Sequence, residues 1–450
     1  MSATPVIAVF DVGKTNKKLF LFDEHYHIAY EKTLQFTETT DEDGDACENL
    51  EALTEWGRNS LKELTELKEF DIKALNFSAY GASFVHIDEE GKPVTPLYNY
   101  LKPFPENLKT QFYNTYGGEI PFSMITASPV LGNLNSGLQL YRLKYQQPEK
   151  FKSIHTSLHL PQYLSFLITG QEYSDITSIG CHTALWNFPQ NHYHEWVLKE
   201  GVADKLAPVY SSADVVEARA FWKDFKVGIG LHDSSSALIP YLACFTEPFV
   251  LISTGTWCIT LNPFNKQPLT EQELRQDCLC YMSYHQQPVK ASRLFAGNEH
   301  ETETKRLAAH FNKPTDYFKT VGYDKRITSA LNTALPQNIS FAERELSGFK
   351  DYETAYHQLI MDIMLQQETS SKLVIQDDNV KRIFVDGGFS KNPIYMNLLA
   401  EAFPEMEVYA ASVAQATAVG AALAIHKHWN SKPMPADIID LKFYAKPAVV

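Results

Sequence analysis

Apolar and polar positions along this chain follow two periods, and the switches between them mark its elements. Val6 to Asp23 (VIAVFDVGKTNKKLFLFD) holds two β-rich apolar runs around a polar turn at Gly13, which predicts a hairpin. Leu50 to Leu67 carries an apolar stripe at helical spacing, and Ala74 to Ile87 (ALNFSAYGASFVHI) reads as strand, Gly-containing break, strand. The Pro-, Gly- and Tyr-rich stretch from Asn99 to Leu131 predicts mostly loop. Helices are predicted over Gly137 to Tyr145, ended by Pro148, and over His159 to Gly170, with Pro161 in the first turn and Gly170 past the end. SDITSIGCHTALWNF predicts a polar loop and then a strand ending near Trp186.

Pro208 to Val227 reads as a connector, after which the plan repeats. FVLISTGTWCITL is again strand, Gly-Thr turn, strand. His300 to Phe311 and Tyr352 to Leu373 are helical, and RIFVDGGFSKNPIYMNLLAEA runs from a strand through Asp386-Gly387-Gly388 into a helix after Asn392-Pro393. A short strand at Val408 to Tyr409 precedes a small-residue helix over Ala414 to Ile425.

At 450 residues the chain exceeds what one core usually serves, so two large domains are expected. Hydrophobic content of 44% with 21% charged is that of a globular protein. A net charge of −14, from 40 basic and 54 acidic residues, argues against nucleic-acid or anionic-membrane partners, which need clustered Lys and Arg. It leaves room for a phosphate ligand held by backbone N–H groups. Six cysteines form no C-x-x-C pair; Cys278 and Cys280 read as one strand. No apolar run approaches the ~20 residues of a membrane span, and MSATPVIAVFDVG lacks a leader pattern, so a reducing cytoplasm is expected.

Local chemistry gathers at a few points. The first hairpin turn carries Asp11, Lys14, Thr15, Asn16, Lys17 and Lys18 around Gly13. It suits either a phosphate-clasping hairpin or an ordinary polar tip; the P-loop spacing is absent. Two halves that each present a Gly-Thr hairpin could grip one polyphosphate from both sides. Asp41 to Asp45 (DEDGD) lacks the ligand spread of an EF-hand and reads as a solvated loop. Tyr80 and Ser83 fall at strand ends, where ligands bind in α/β sheets. His182 is a ligand or a satisfied core histidine. Gly387-Gly388 permits close backbone contact with a ligand at a helix N-terminus. Asp233 leads Ser-Ser-Ser-Ala in an almost uncharged stretch, and it is either an N-cap or something more.

DVGKTNKKLFLFD, GIGLHDSSSALI, LISTGTWCI and DGGFSKNPIYMNLLAEAF…AQATAVGAALA, in that order, resemble the FGGY carbohydrate kinases of the actin/hexokinase-like ATPase superfamily. The resemblance implies an α/β fold of two ribonuclease-H-like domains flanking a deep cleft. Residues 1–226 would mainly bind sugar and 227–450 mainly ATP. It implies ATP and Mg²⁺ as cofactors, with a small-molecule sugar as the other partner; a homodimer is left open. Asp11 matches the aspartate that holds Mg²⁺, with Asp233 beside it. Gly13, Lys14, Thr15, Asn16 and Lys18 match the first phosphate hairpin, and Gly255 and Thr256 the second. Gly387, Gly388 and Asn392 match the adenosine site. Asp233 matches the base that accepts the proton of the attacking sugar hydroxyl.

There are departures. Many members have Thr or Ser where Lys14 stands and Arg where Lys18 stands. The glycerol-kinase pattern has Arg-Glu where this chain has Gly81-Ala82, which argues against glycerol. AYGASFVHIDEEGKPVTP, HDSSSA and STGTW look instead like rhamnulose and fuculose kinases, which phosphorylate C1 of a 6-deoxy-ketose. Tyr80, Gly81, Ser83, His182, Thr183, Trp186, His232 and Asp233 are the sugar-pocket candidates, against a plain reading as core aromatics and loop polars. Alternatives are a D-xylulose or other pentulose kinase, a non-catalytic sugar- or nucleotide-binding regulator on the same fold, and, more remotely, an actin-like filament or chaperone ATPase.

Overall fold

The computed structural model describes residues 3–219, 225–334, 340–375 and 379–444. Two sheets, each of seven described strands, organise it. The first runs Val215–Glu217, Lys226–Gly228, Phe70–Ala79, Thr4–Val12, Lys17–Asp23, Ile28–Leu34, with Leu231–His232 pairing farther along Phe70–Ala79. Thr4–Val12 is parallel to Phe70–Ala79 and antiparallel to Lys17–Asp23. Its run from Val6 to Phe10 is buried on both faces, which is why that run is continuously apolar. The second sheet runs Cys278–Met282, Pro288–Leu294, Cys258–Asn262, Phe249–Thr254, Arg382–Gly387, Glu407–Ser412, Asp440–Tyr444. Phe249–Thr254 is antiparallel to Cys258–Asn262 and parallel to Arg382–Gly387. The predicted repeat of strand, turn and strand is therefore the same motif built twice.

Helices cover the outer faces. Leu50–Glu66, capped by Asn49, buries Leu53, Trp56, Leu61 and Leu64 on the first lobe. Tyr352–Ile375 buries Tyr356, Leu359, Ile360 and Ile363 on the second. Between the sheets lie two helices in mutual contact, Asp233–Cys244 and Ala416–Ala424. A Cβ at Gly420 would fall 1.9 Å from the Ser236 carbonyl oxygen, so the small-residue helix reflects close packing. Asn76 Nδ2 of the first sheet donates to the Ala421 carbonyl at 2.7 Å, tying the lobes at their seam.

Several expectations need correction. The stretch expected to be loop holds helices Glu106–Thr115 and Glu119–Thr126. Phe112, Tyr113 and Phe122 on them pack among Tyr141 and Trp196, and the Pro and Gly residues punctuate the helix ends. Pro148 opens a helix, Pro148–Ser153, as well as closing one. Ile176–Ile179 is a short helix capped by Asp175, and the strand after it is only Trp186–Asn187. The boundary expected between 226 and 227 falls inside a strand of the first sheet, which continues to His232. Part of the connector, 220–224, lies outside the described residues.

The acidic loop is not merely solvated. Asp41, Asp43 and Asp45 surround the buried Lys102 ammonium at 2.6, 2.8 and 2.9 Å. An ammonium has three donors, and three carboxylates meet them. All six cysteines are free. No helix among the described residues is long and apolar enough to cross a membrane.

Candidate active site

The first hairpin turns where Thr4–Val12 ends, and Gly13 N–H donates to the Asn16 carbonyl at 2.9 Å. Behind the turn, the buried Lys17 ammonium donates to the Lys14 carbonyl and to Glu48, each at 2.9 Å. Lys14 points outward to Glu38 at 2.7 Å, and Asn16 Oδ1 accepts from Gln35. Thr15 is exposed at the tip. Lys18 crosses to the second lobe and donates to Gln415 Oε1 at 3.1 Å.

Asp11 also faces that lobe. Thr417 Oγ1, in the first turn of Ala416–Ala424, donates to Asp11 Oδ2 at 2.8 Å. Burial pushes the Asp11 carboxyl up to about 6; the Thr417 hydrogen bond opposes this and the charge of Asp233 adds to it. The Asp233 charge thus reaches Asp11 across the seam and disfavours its ionised form.

Asp233 is the first residue of its helix, directly after the strand Leu231–His232. Its Oδ1 accepts from Ser234 N–H at 2.6 Å and lies 3.3 Å from His232 Nε2. The cap position belongs to His232, which makes no side-chain cap bond; Asp233 is the first helical residue, and its carboxylate takes the N–H of the next one, Ser234. Burial pushes its pKa up to about 6.

The second hairpin is closed by Gly255 N–H donating to the Trp257 carbonyl at 2.9 Å, and Thr256 O accepts from Asn298 N–H. Phe249–Thr254 and Arg382–Gly387 are parallel, so Gly255 and Gly388 emerge at one sheet edge. There Gly388 N–H donates to the Thr254 carbonyl, and Thr254 Oγ1 donates to the Asp386 carbonyl. A cavity of about 530 Å³ opens beside this edge, lined by Gly255, Gly388, Asn392, His300, Phe318 and Tyr356. Asn392 Oδ1 caps Pro393–Ala402 while its Nδ2 donates to Tyr356 Oη at 2.8 Å. His300, Phe318, Tyr356 and Phe389 give the cavity flat faces that suit a planar heterocycle, and Lys319 and Lys391 add charge at its lining.

On the other side of Asp233, His232 lies against Gly81: a Cβ at position 81 would fall 2.5 Å from the imidazole Cδ2. His182, left-handed at φ 39°, sets its ring edge-on to His232, and burial holds its pKa at about 3. Tyr80 is buried with its hydroxyl toward Glu48 at 3.4 Å. The other pocket candidates are engaged elsewhere. Ser83 donates to the Tyr98 carbonyl, and Thr183 donates to the Ile179 carbonyl at 2.6 Å. Trp186 belongs to the aromatic cluster with Phe112 and Trp196. In a tight buried turn a hydroxyl must satisfy local backbone, which removes it from a pocket.

Sequence reasoning missed Thr417 and Gln415, which hold the first hairpin, and Gly297, whose Cβ would fall 1.8 Å from the Gly255 carbonyl oxygen. It also missed His300, Tyr356 and Tyr281. Only Gly297, a glycine three residues before the helix predicted from His300, left any local signal.

Residues 6–239 match the FGGY family of carbohydrate kinases, N-terminal domain, and residues 246–433 match the carbohydrate kinase FGGY C-terminal domain. The chain belongs to the FGGY carbohydrate kinase family. A rhamnulokinase of Halalkalibacterium halodurans is 25% identical over 265 residues, 55% of this chain and 52% of the relative. A rhamnulokinase of Yersinia pestis is 21% identical over 281 residues, 59% and 56% of the two chains. The chain thus spans about half the length of the curated FGGY relatives it matches. A carbohydrate kinase from Novosphingobium aromaticivorans superposes with a TM-score of 0.79 at 23% identity, covering 99% of this chain and 95% of that one. A xylulose kinase from Lactobacillus acidophilus gives 0.79 at 16%, covering 98% and 94%. These structures share the two-lobed α/β FGGY fold.

Proposed function

We propose that this protein transfers the terminal phosphoryl group of ATP to a primary hydroxyl of a ketose. The observation that carries this reading is the placing of two buried carboxylates, Asp11 held by Thr417 of the other lobe and Asp233 at its helix start, between two lobes that each offer a glycine hairpin. Phosphoryl transfer is mainly positioning and charge neutralisation. The two hairpins present backbone N–H groups to the phosphates, and the aromatic cavity by Asn392 takes the adenine. The sugar lies beside Asp233, with residues up to His232 forming its lobe and residues from Asp233 onward the nucleotide lobe. An ionised Asp233 accepts the proton of the attacking hydroxyl as the new P–O bond forms.

The residues suit Mg²⁺ held the way that ion is usually held. No group of three His, Cys, Asp or Glu among the described residues could cage a metal, so Asp11 would contribute one carboxylate, with phosphate and water completing the shell. Bound there, Mg²⁺ would neutralise charge on the phosphates.

The substrate class we favour is a 6-deoxy-ketose, L-rhamnulose or L-fuculose. The relatives named rhamnulokinase support it, and the His232 ring filling the space beside Gly81 argues against glycerol. Free cysteines suit a reducing cytoplasm.

A coupled ADP assay over L-rhamnulose, L-fuculose and D-xylulose tests the reading. We expect ADP with a 6-deoxy-ketose, and Asp233→Asn lower in kcat by about 10²–10⁴-fold. Turnover should rise with pH through about 6 as Asp233 ionises. A folded pKa raised from 3.8 to about 6 gives stability that is complete below 3.8 and lost as pH rises through 6. Asp233→Asn should therefore raise Tm at pH 8 and leave it unchanged at pH 4. ADP formation with D-xylulose alone would move the substrate to the pentuloses. No ADP with any ketose, or a fully active Asp233→Asn, sinks the proposal.

A further inference from the structure

Strand Cys278–Met282 is the edge of the second sheet, yet its end is wedged onto the first lobe. Within the second lobe, Ser235 Oγ, in the first turn of the Asp233 helix, donates to the Met282 carbonyl at 2.8 Å. A Cβ at Gly180 would fall 2.2 Å from Met282 Cγ, so the first lobe leaves a glycine-sized slot for this strand end. The residue before Met282 is Tyr281, which is 5% exposed. Its ring lies nearly parallel to His232, centroids 6.0 Å apart at 18°, and edge-on to His182 at 6.2 Å. The charged or polar groups that act on its phenol are Cys181, Arg293, Asp233 and Asp277.

A buried tyrosine hydroxyl almost always has a hydrogen-bond partner. Tyr281 Oη makes no hydrogen bond among the described residues and is not one of the polar atoms sealed from solvent, and the charge of Asp233 acts on it. Next to it, His232 Nδ1 is buried without a partner. Both groups sit where the ketose is placed in the reading above, on which this inference rests. We propose that Tyr281 is a sugar-recognition residue, supplied by the nucleotide lobe, whose hydroxyl hydrogen-bonds a hydroxyl of the bound ketose. The sugar pocket is then completed only by both lobes, and ketose affinity depends on the seam between them.

The test uses the full chain and Tyr281→Phe, which keeps the ring and removes only the hydroxyl. L-rhamnulose, L-fuculose and D-xylulose are each titrated calorimetrically without nucleotide, and ATP separately. The expected result is a Kd for the tightest ketose about ten-fold weaker in Tyr281→Phe, the scale of one ligand hydrogen bond. Kd for ATP stays unchanged, and Tm is unchanged, because the hydroxyl makes no hydrogen bond to the protein among the described residues. Equal ketose affinities in the two proteins overturn the proposal while ADP formation keeps the kinase reading intact. A parallel loss of ATP affinity and Tm overturns it in favour of a purely structural role. Ketose binding that weakens as expected without ADP formation supports Tyr281 and sinks the kinase reading alone; no ketose binding to the wild type sinks both.

Discussion

The two hairpins have the same backbone plan and opposite means of support. At the first, side chains do the holding: Lys17 bridges Glu48 and the Lys14 carbonyl, Lys14 meets Glu38, and Lys18 reaches Gln415. The tip of the second, Gly255 to Trp257, has no charged residue of its own; backbone packs against backbone there, and the Trp257 ring rests against Phe295 and Arg293. Gly297 and Gly387 would each put a Cβ within 2 Å of a carbonyl oxygen, 1.8 Å and 1.9 Å, at Gly255 and Thr254. One clasp depends on charge pairs, the other on the absence of a methyl group. The first should tolerate small changes of shape and the second small changes of charge.

The largest expected effect follows from the second clasp. Gly387→Ala meets both the contact with the Thr254 carbonyl and a backbone φ of +90°, which side chains rarely adopt. Gly297→Ala meets the Gly255 carbonyl on the edge of the nucleotide cavity. Each should lower kcat/KM for ATP by about 100-fold or more, since a shift of ~1 Å at a positioned group costs on that order. Gly13→Ala is the control: its Cβ would lie 3.3 Å from the Asn16 carbonyl, and its φ is ordinary. A loss of less than about ten-fold is expected there. Steady-state ATP kinetics on the three variants decide the matter, and a Gly13→Ala defect as large as the others would erase the distinction between the clasps.

The first clasp should break through charge. Lys17 and Glu48 are 1% and 3% exposed at the side chain, so removing one partner strands the other. Lys17→Met should cost about 3–5 kcal/mol in denaturant unfolding, and Lys17→Met with Glu48→Gln should recover much of that. ATP KM should rise in the single variant, because the Lys14 carbonyl loses its anchor. Equal stability of the single variant and the wild type would mean that the turn is shaped by its backbone after all.

The same contrast explains what could be read from the amino acids. Both hairpins, the helix starts at Asp233 and Asn392, and the paired glycines at 387–388 were legible, because turn and cap chemistry is local. The clasps' supports were not. Thr417 lies 406 positions from Asp11, and Gln415 lies 397 from Lys18. Gly297 and Tyr281 matter only once their strands and helices have met the cleft. Ser83 and Thr183 had the right chemistry, but their hydroxyls serve nearby carbonyls, a competition that pattern cannot resolve. The helices between Glu106 and Thr126 were hidden because their Pro and Gly punctuation resembles loop, while the aromatic contacts that stabilise them come from distant segments.

The smallest effect separates a Lys14 that contacts a phosphate from one that points to solvent. Its ammonium pairs with Glu38 at 2.7 Å, with side chains 27% and 45% exposed, so the pair is screened by water and contributes at most about 1 kcal/mol. What the hairpin uses at this position is the carbonyl, which Lys17 holds. Lys14→Ala keeps that carbonyl and should leave Tm within about 2 °C and KM for ATP within about three-fold. A ten-fold rise in KM for ATP that fades in high salt would instead show Lys14 leaving Glu38 for a phosphate. The first clasp would then grip its ligand by charge as well as being built by it, and the contrast with the second would extend from support to binding.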